Sequence, residues 1–340
     1  MKCSAIAASL SVGLLLSMSA SATGNANYSD VVNQAWQKFK DDNSGKVADY
    51  IPALAKYSAG NYAIALATVD GKLYLAGNTG QKFPLESLTK IFTLAMVLNQ
   101  YGSDEVLNKL GANATGLPFN SGLAIELRSD RLQNPLVNAG AISTVSLVKA
   151  KDADARWQTI ISNMDAFADS HLNVNQDVYR SESATNQHNQ ALGRLMLSYR
   201  RIYSNVDEAV DLYTRQCSVE ATTVQLAKMG AVLANGGRSP FNGRQLLPAR
   251  YVPGVLSEMV IAGLYDDSGK WLYSVGLPAK SGVGGGMVAV VPGQYAVAVY
   301  SPPLDPQGNS VRAQEAIRYI ANETAPASGN HINTTENSRC

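Results

Sequence analysis

The sequence predicts an α+β chain, with one antiparallel sheet contributed by both chain ends, flanked by helices, and a helical subdomain inserted between them. Three observations predict it. Strand-like runs occur near both ends: Tyr62 to Val69 and Lys72 to Ala76 early, Met287 to Val291 and Tyr295 to Tyr300 late. The stretch between them, roughly 104–270, is mostly helical in pattern. No interdomain linker or internal repeat divides the 340 residues. Strands at both ends with helices between are met by one sheet with an insertion.

The elements follow in order. Lys2 gives a positive start, Ile6 to Leu16 an apolar stretch, and Ala20-Ser21-Ala22 a small-residue cleavage site, so residues 1–22 read as a signal peptide. The stretch is shorter than the ~20 residues of a spanning helix. Its removal predicts a secreted or periplasmic chain. Residues 29–42 read as an amphipathic helix with Val31, Val32, Ala35, Trp36 and Phe39 on one face. Asp70-Gly71 between two β-rich runs predicts a hairpin with positive φ at both central residues. Residues 87–100 read as an apolar helix carrying Ile91, Leu94, Ala95 and Leu98. Further helices are expected over 138–150, 157–168, 189–202, 206–215 and 219–235, the last closed by Gly236-Gly237. Pro292-Gly293-Gln294 joins the two late strands, and a helix over about 309–321 follows. The catalytic domain therefore spans 23–324. Residues 325–340 are polar and read as a disordered tail.

Composition narrows the function. Charged residues make up 16% and the net charge is +1, so no basic field argues for nucleic acid and a small-molecule partner is favoured. Without the signal, Cys217 and Cys340 remain. They read as a buried thiol and an exposed one, and with three histidines they form no zinc-ligand spacing. There is no G-x-S-x-G elbow, no GxGxxG and no P-loop.

The chemistry-bearing candidate is Ser87-Leu88-Thr89-Lys90. A serine hydroxyl needs a base, and residues three apart share a helix face, so Lys90 can serve Ser87. Burial of the apolar helix would lower the lysine pKa. Taken alone the spacing is weak: Ser146-Leu147-Val148-Lys149 has it too, and a helix cap with a solvated lysine explains either. Lys280-Ser281-Gly282, followed by Val283-Gly284-Gly285-Gly286 before a strand, raises the first occurrence, since glycines let backbone N–H groups approach a developing oxyanion. Together the two motifs resemble penicillin-recognising enzymes in general.

Further blocks select among amidohydrolases. Gly45 to Pro52, Phe83 to Lys90, Asn134 to Ile142, Tyr179 to Glu182, Asp211 to Tyr213, Gln216 to Ser218, Gly263 to Asp266, Val275 to Val291, Ser301 to Leu304 and Gly308 to Arg312 occur in order. This series, over about residues 45–322, resembles the serine-dependent glutaminases (glutaminase A type). The resemblance implies a β-lactamase/transpeptidase-like fold and hydrolysis of L-glutamine to L-glutamate and ammonia without metal or cofactor, in a homo-oligomer. It implies Ser87 as nucleophile, Lys90 as general base, and Tyr50 and Tyr265 as tyrosines lining the nucleophile and relaying protons. Asn138, Glu182, Asn189 and Tyr213 would bind the amino-acid end. The N–H groups of Val283 and Ser87 would form the oxyanion hole. A carboxylate for the ammonium and amide donors for the carboxylate suit a zwitterion. The sequence departs from the family at His188, where arginine is usual, at Glu86, where glutamine is common, at Thr89, and before Phe119-Asn120-Ser121. Two other readings remain at this stage. A penicillin-recognising serine hydrolase shares both motifs but lacks a clear Ser-Asp-Asn motif, and an amino-acid-binding protein would bind glutamine without turnover.

Overall fold

The computed structural model describes residues 27–325. The expected signal peptide, Cys340 and the tail beyond Ala325 lie outside the described residues. In chain order the elements are α1 (Tyr28–Phe39), β1 (Ala63–Thr68), β2 (Leu73–Gly77), β3 (Lys82–Pro84), α2 (Thr89–Tyr101), α3 (Ser103–Leu110), α4 (Leu123–Leu127), α5 (Asn138–Leu147) and α6 (Ala153–Ala168). Then come β4 (Asn173–Val174), α7 (Gln176–Thr185), α8 (Gln187–Ser198), α9 (Val206–Cys217), β5 (Val219–Thr222), α10 (Thr223–Ala234), α11 (Val252–Ala262) and α12 (Ser268–Val275). Strands β6 (Ala279–Ser281), β7 (Gly286–Val291) and β8 (Tyr295–Tyr300) precede the closing α13 (Val311–Thr324).

The main sheet has the order β2-β1-β8-β7-β6, antiparallel throughout. Strand β1 pairs directly with β8, Ala63 opposite Tyr300, so both chain ends do build one sheet. Strands β1 and β8 at its centre are buried on both faces, which is why they read as unbroken apolar runs. Ile64, Leu66, Met287, Ala289, Val297 and Val299 pack with α1 and α13. Ala65, Ala67, Val288, Val290, Ala296 and Ala298 belong to the larger core on the opposite face. There α10 comes so close that a Cβ on Gly230 would lie 2.8 Å from Ala296 Cβ.

Several expectations are corrected. Helix α1 ends at Phe39, not 42, because Asp42 accepts the Ser44 N–H at 2.8 Å and turns the chain. The Asp70-Gly71 hairpin is a three-residue loop: the Thr68 N–H donates to Lys72 O at 3.0 Å, and only Gly71 has positive φ (82°). Residues 219–222 form a strand, not the start of a helix. It is the middle of a second sheet, β3-β5-β4, which the sequence did not predict. Helix α10 starts after it, at a capping box between Thr222 and Gln225. Among the described residues, no helix is long and apolar enough to cross a membrane.

Candidate active site

Ser87 sits between the two sheets and the helical layer. Strand β3 leads to a single 3-10 turn, Glu86–Leu88, which runs into α2. Ser87 is thus on the turn before the α-helix, and not on its first residue. Phe83 anchors the approach by stacking on Tyr300, ring centroids 4.1 Å apart. Glu86 has φ of 52°, a conformation worth ~1–3 kcal/mol of strain for a non-glycine residue. Tyr265, across the site, has φ of 57°. Two residues held this way beside one serine mark a site whose surroundings enforce its geometry.

Helix α2 is buried over its first ten residues, and Lys90 is 1% exposed. Its Nζ donates to Asn138 Oδ1 at 2.7 Å and to Leu136 O at 3.4 Å. The Tyr265 hydroxyl lies beside Ser87 and donates to Ser281 O at 3.4 Å, while the hydrogen bonds of Lys90 go to Asn138 and Leu136. Burial lowers the Lys90 pKa to about 8, against an opposing pull from Cys217, Glu86 and Glu182. Burial likewise raises Tyr265, and the Ser87 hydrogen bond works against that rise. A lysine lowered this far is able to take a proton near neutral pH.

Asn138 opens α5. Its side chain does not cap the helix but points into the site, where Oδ1 also accepts from Tyr213 Oη at 3.0 Å and Nδ2 donates to Asn189 Oδ1 at 3.0 Å. Tyr213 is a core residue of α9 with its hydroxyl spent here. Glu182 is buried on α7 and accepts from Ser218 Oγ at 3.4 Å, while its neighbour Arg180 pairs outward with Asp177 at 2.5 Å. The nine candidate residues do not all converge equally. Tyr50, Ser87, Asn138, Glu182, Asn189, Tyr213 and Val283 line one cavity of about 170 Å³. Lys90 and Tyr265 stand behind it, against Asn138 and Ser87. Tyr50 is 57% exposed and forms its rim. The cavity is below the ~300–1,000 Å³ of drug-sized sites, and suits a small polar molecule.

The glycine turn packs against the nucleophile segment. It joins β6 to β7, with Gly285 N–H donating to Gly282 O at 2.9 Å. A Cβ on Gly282 would lie 2.7 Å from Leu85 O, and one on Gly284 2.5 Å from Pro84 O. These glycines admit the nucleophile segment, and Val283 between them lines the same cavity as Ser87. Just behind, Lys280 Nζ donates to Gly263 O at 2.9 Å and Ser281 O at 2.6 Å, with Nζ 4.2 Å from the Tyr265 ring centroid. The competing Ser146-x-x-Lys149 is structural: Ser146 bonds Ser143 O and Lys149 bonds Gln100 O.

Other residues enter the cavity that the sequence alone did not place there: Ile51, Phe119, Asn120, Thr185, Asn186 and Cys217. Phe119 and Asn120 directly follow the stretch in which the sequence departs from the family pattern. Cys217 is buried, as expected from the sequence, and forms no disulfide among the described residues. Two of the departures, His188 and Glu86, also line the cavity. His188 donates through Nε2 to Asn120 O at 2.6 Å, and Glu86 faces Glu182.

The sequence profile of the glutaminase family matches residues 45–327. The chain belongs to the glutaminase family. Glutaminases from Colwellia psychrerythraea and Mycobacterium ulcerans are 52% and 50% identical to it, over 86% and 89% of this chain and 94% and 95% of theirs. The solved structure of a probable glutaminase, ybaS, superposes with a TM-score of 0.86 at 45% identity, covering 88% of this chain and 97% of that one. A Bacillus glutaminase at 27% identity still gives 0.79 over 87% of this chain and 98% of its own. The chain shares with these neighbours the β-lactamase-like fold that the two chain ends and the inserted helices describe.

Proposed function

We propose that the chain hydrolyses L-glutamine to L-glutamate and ammonia through a γ-glutamyl ester on Ser87. The supporting observation is Lys90, a buried lysine with its pKa lowered to about 8, set three residues from a serine that borders a small polar cavity. In this reading Glu182 accepts from the substrate ammonium, and Asn138, Asn189 and Tyr213 hold its amino-acid end. That places the side-chain amide at Ser87. Ser87 Oγ attacks the amide carbon while its proton passes by way of Tyr265 to Lys90. The N–H groups of Ser87 and Val283 receive the oxyanion. Collapse returns the proton to the departing nitrogen as ammonia leaves, and water cleaves the ester. Tyr50 closes the rim over the reacting atoms.

Ammonia release from L-glutamine tests this. The parent chain should release it and Ser87→Ala should not, with asparagine and a chromogenic β-lactam beside it. Release that survives Ser87→Ala would remove the acyl-enzyme. Turnover of the β-lactam without glutamine would replace the substrate. We also propose that the enzyme acts after export and as a homo-oligomer, from the charged start, apolar stretch and Ala20-Ser21-Ala22 site and from family habit. An exported chain beginning near Thr23, with a sedimentation mass above that of one chain, is the expected result.

A further inference from the structure

Glu86 is a buried carboxyl that this mechanism does not use. It is 3% exposed, lines the substrate cavity, and leaves Oε1 without a hydrogen-bond partner. Its carboxyl meets that of Glu182, and one oxygen of each lies with Cys217 Sγ inside a 4.8 Å span. Two carboxylates this close cannot both ionise out of water, since each charge opposes the other. One proton between them turns the repulsion into a hydrogen bond.

We propose that Glu86 is a second acceptor for the substrate ammonium, and that the Glu86–Glu182 pair holds one proton before substrate binds and releases it to solvent when the ammonium enters. An ammonium carries three donors. The shared proton occupies an oxygen those donors need, and the arriving positive charge removes the repulsion that kept the proton in place. The unpartnered Oε1 supplies a further acceptor.

The surrounding groups agree. Burial raises Glu86 well above the carboxylate range, with the charge of Glu182 next in effect, and burial raises Glu182 to about 7. Around the pair stand Lys90, Cys217, Tyr50, Tyr57, Tyr213 and Tyr265. Burial raises Tyr57, Tyr213, Tyr265 and Cys217 above their ordinary values, so they stay neutral through this range. Lys90 alone titrates nearby, and it is the control the test must exclude.

This inference rests on the glutamine reading, and calorimetry separates the two. Ser87→Ala is titrated with L-glutamine at pH 7 in Pipes and in Tris, whose ionisation heats differ. The expected result is release approaching one proton per glutamine. In Ser87→Ala/Glu86→Gln the amide keeps the hydrogen bond to Glu182, and release should fall to less than a third. The KM of the parent should drop up to tenfold per pH unit as the pair ionises, and that of Glu86→Gln should stay nearly flat between pH 6 and 8. Equal release from both variants would assign the proton to Lys90 or to Glu182 alone and overturn the proposal, as would binding without release. No binding heat would overturn the glutamine reading with it. Should the double variant not fold, infrared difference spectra of Ser87→Ala decide: the protonated-carboxyl stretch must vanish on adding glutamine, and its persistence refutes the proposal.

Discussion

A lysine acts as a base only when neutral, and water keeps an ordinary one charged. Lys90 departs from that because α2 buries it, with Asn138 Oδ1 and Leu136 O as its polar partners. The sign of its pH dependence follows. With a pKa lowered to about 8, the neutral fraction grows as pH rises toward 8 and is nearly complete above 9. The kcat should climb over that interval and then level. Lys90→Arg keeps the charge but never loses its proton, so it should fall ~10²–10⁴-fold in kcat at every pH. Activity of that variant with a normal pH profile would take the base role from Lys90. The Glu86–Glu182 pair acts on KM instead, so the two titrations separate when kcat and KM are plotted apart. Ser87 and Lys90 were legible in the sequence because they are local. The Glu86–Glu182 meeting was not, as the two are far apart in sequence and only the fold brings α7 to the 3-10 turn.

At the scale of elements, the site depends on how the ends of α2, α5 and the β6–β7 turn are pressed together. Asn138 reaches the cavity only because α5 starts hard against the chain before it. Gly140 makes that approach possible: a Cβ there would sit 1.9 Å from Asn134 O and 2.7 Å from Gln133 O, both backbone atoms. Gly140→Ala must push the helix start away. It should lose ~1–3 kcal/mol of stability, as overpacked sites do. Because Asn138 moves with the helix, KM for glutamine should rise as well. Urea unfolding and steady-state kinetics check both, and an unchanged KM with reduced stability would uncouple Asn138 from its helix. Most elements were legible from periodicity and turns, as the hairpin after β1 and the apolar α2 show. Strand β5 was not, because four residues running straight into α10 have no period of their own. The Thr222–Gln225 capping box was the available signal, for it fixes where the helix begins.

At the scale of the molecule, the two chain ends must find each other, since β1 lies between β2 and β8. The β1–β8 pairing joins residues more than two hundred apart in sequence, and such contacts form slowly. Arg312, at the start of α13, ties the ends together. It is 2% exposed, and its guanidinium donates to Ser301 Oγ at 2.8 Å, Lys40 O at 3.3 Å, Asn61 O at 3.2 Å and Ala59 O. One side chain thus serves the segment after α1, the approach to β1 and the exit of β8. Among the described residues no carboxylate forms an ion pair with it, and its charge is met by carbonyl and hydroxyl dipoles, by the Tyr62 ring centroid 5.2 Å from Cζ, and by the longer-range field of Asp42. Arg312→Met keeps the length and removes the donors, leaving those oxygens to be solvated or stranded at ~1–3 kcal/mol for each that stays buried. The expected outcome is a loss of about 3 kcal/mol or more in urea, with kcat of the folded fraction within twofold of the parent, because Arg312 touches none of the cavity residues. A variant that kept its stability would mean that water replaces the guanidinium at the seam. A variant that kept stability but lost kcat would instead connect that seam to Ser87 through β8 and Phe83.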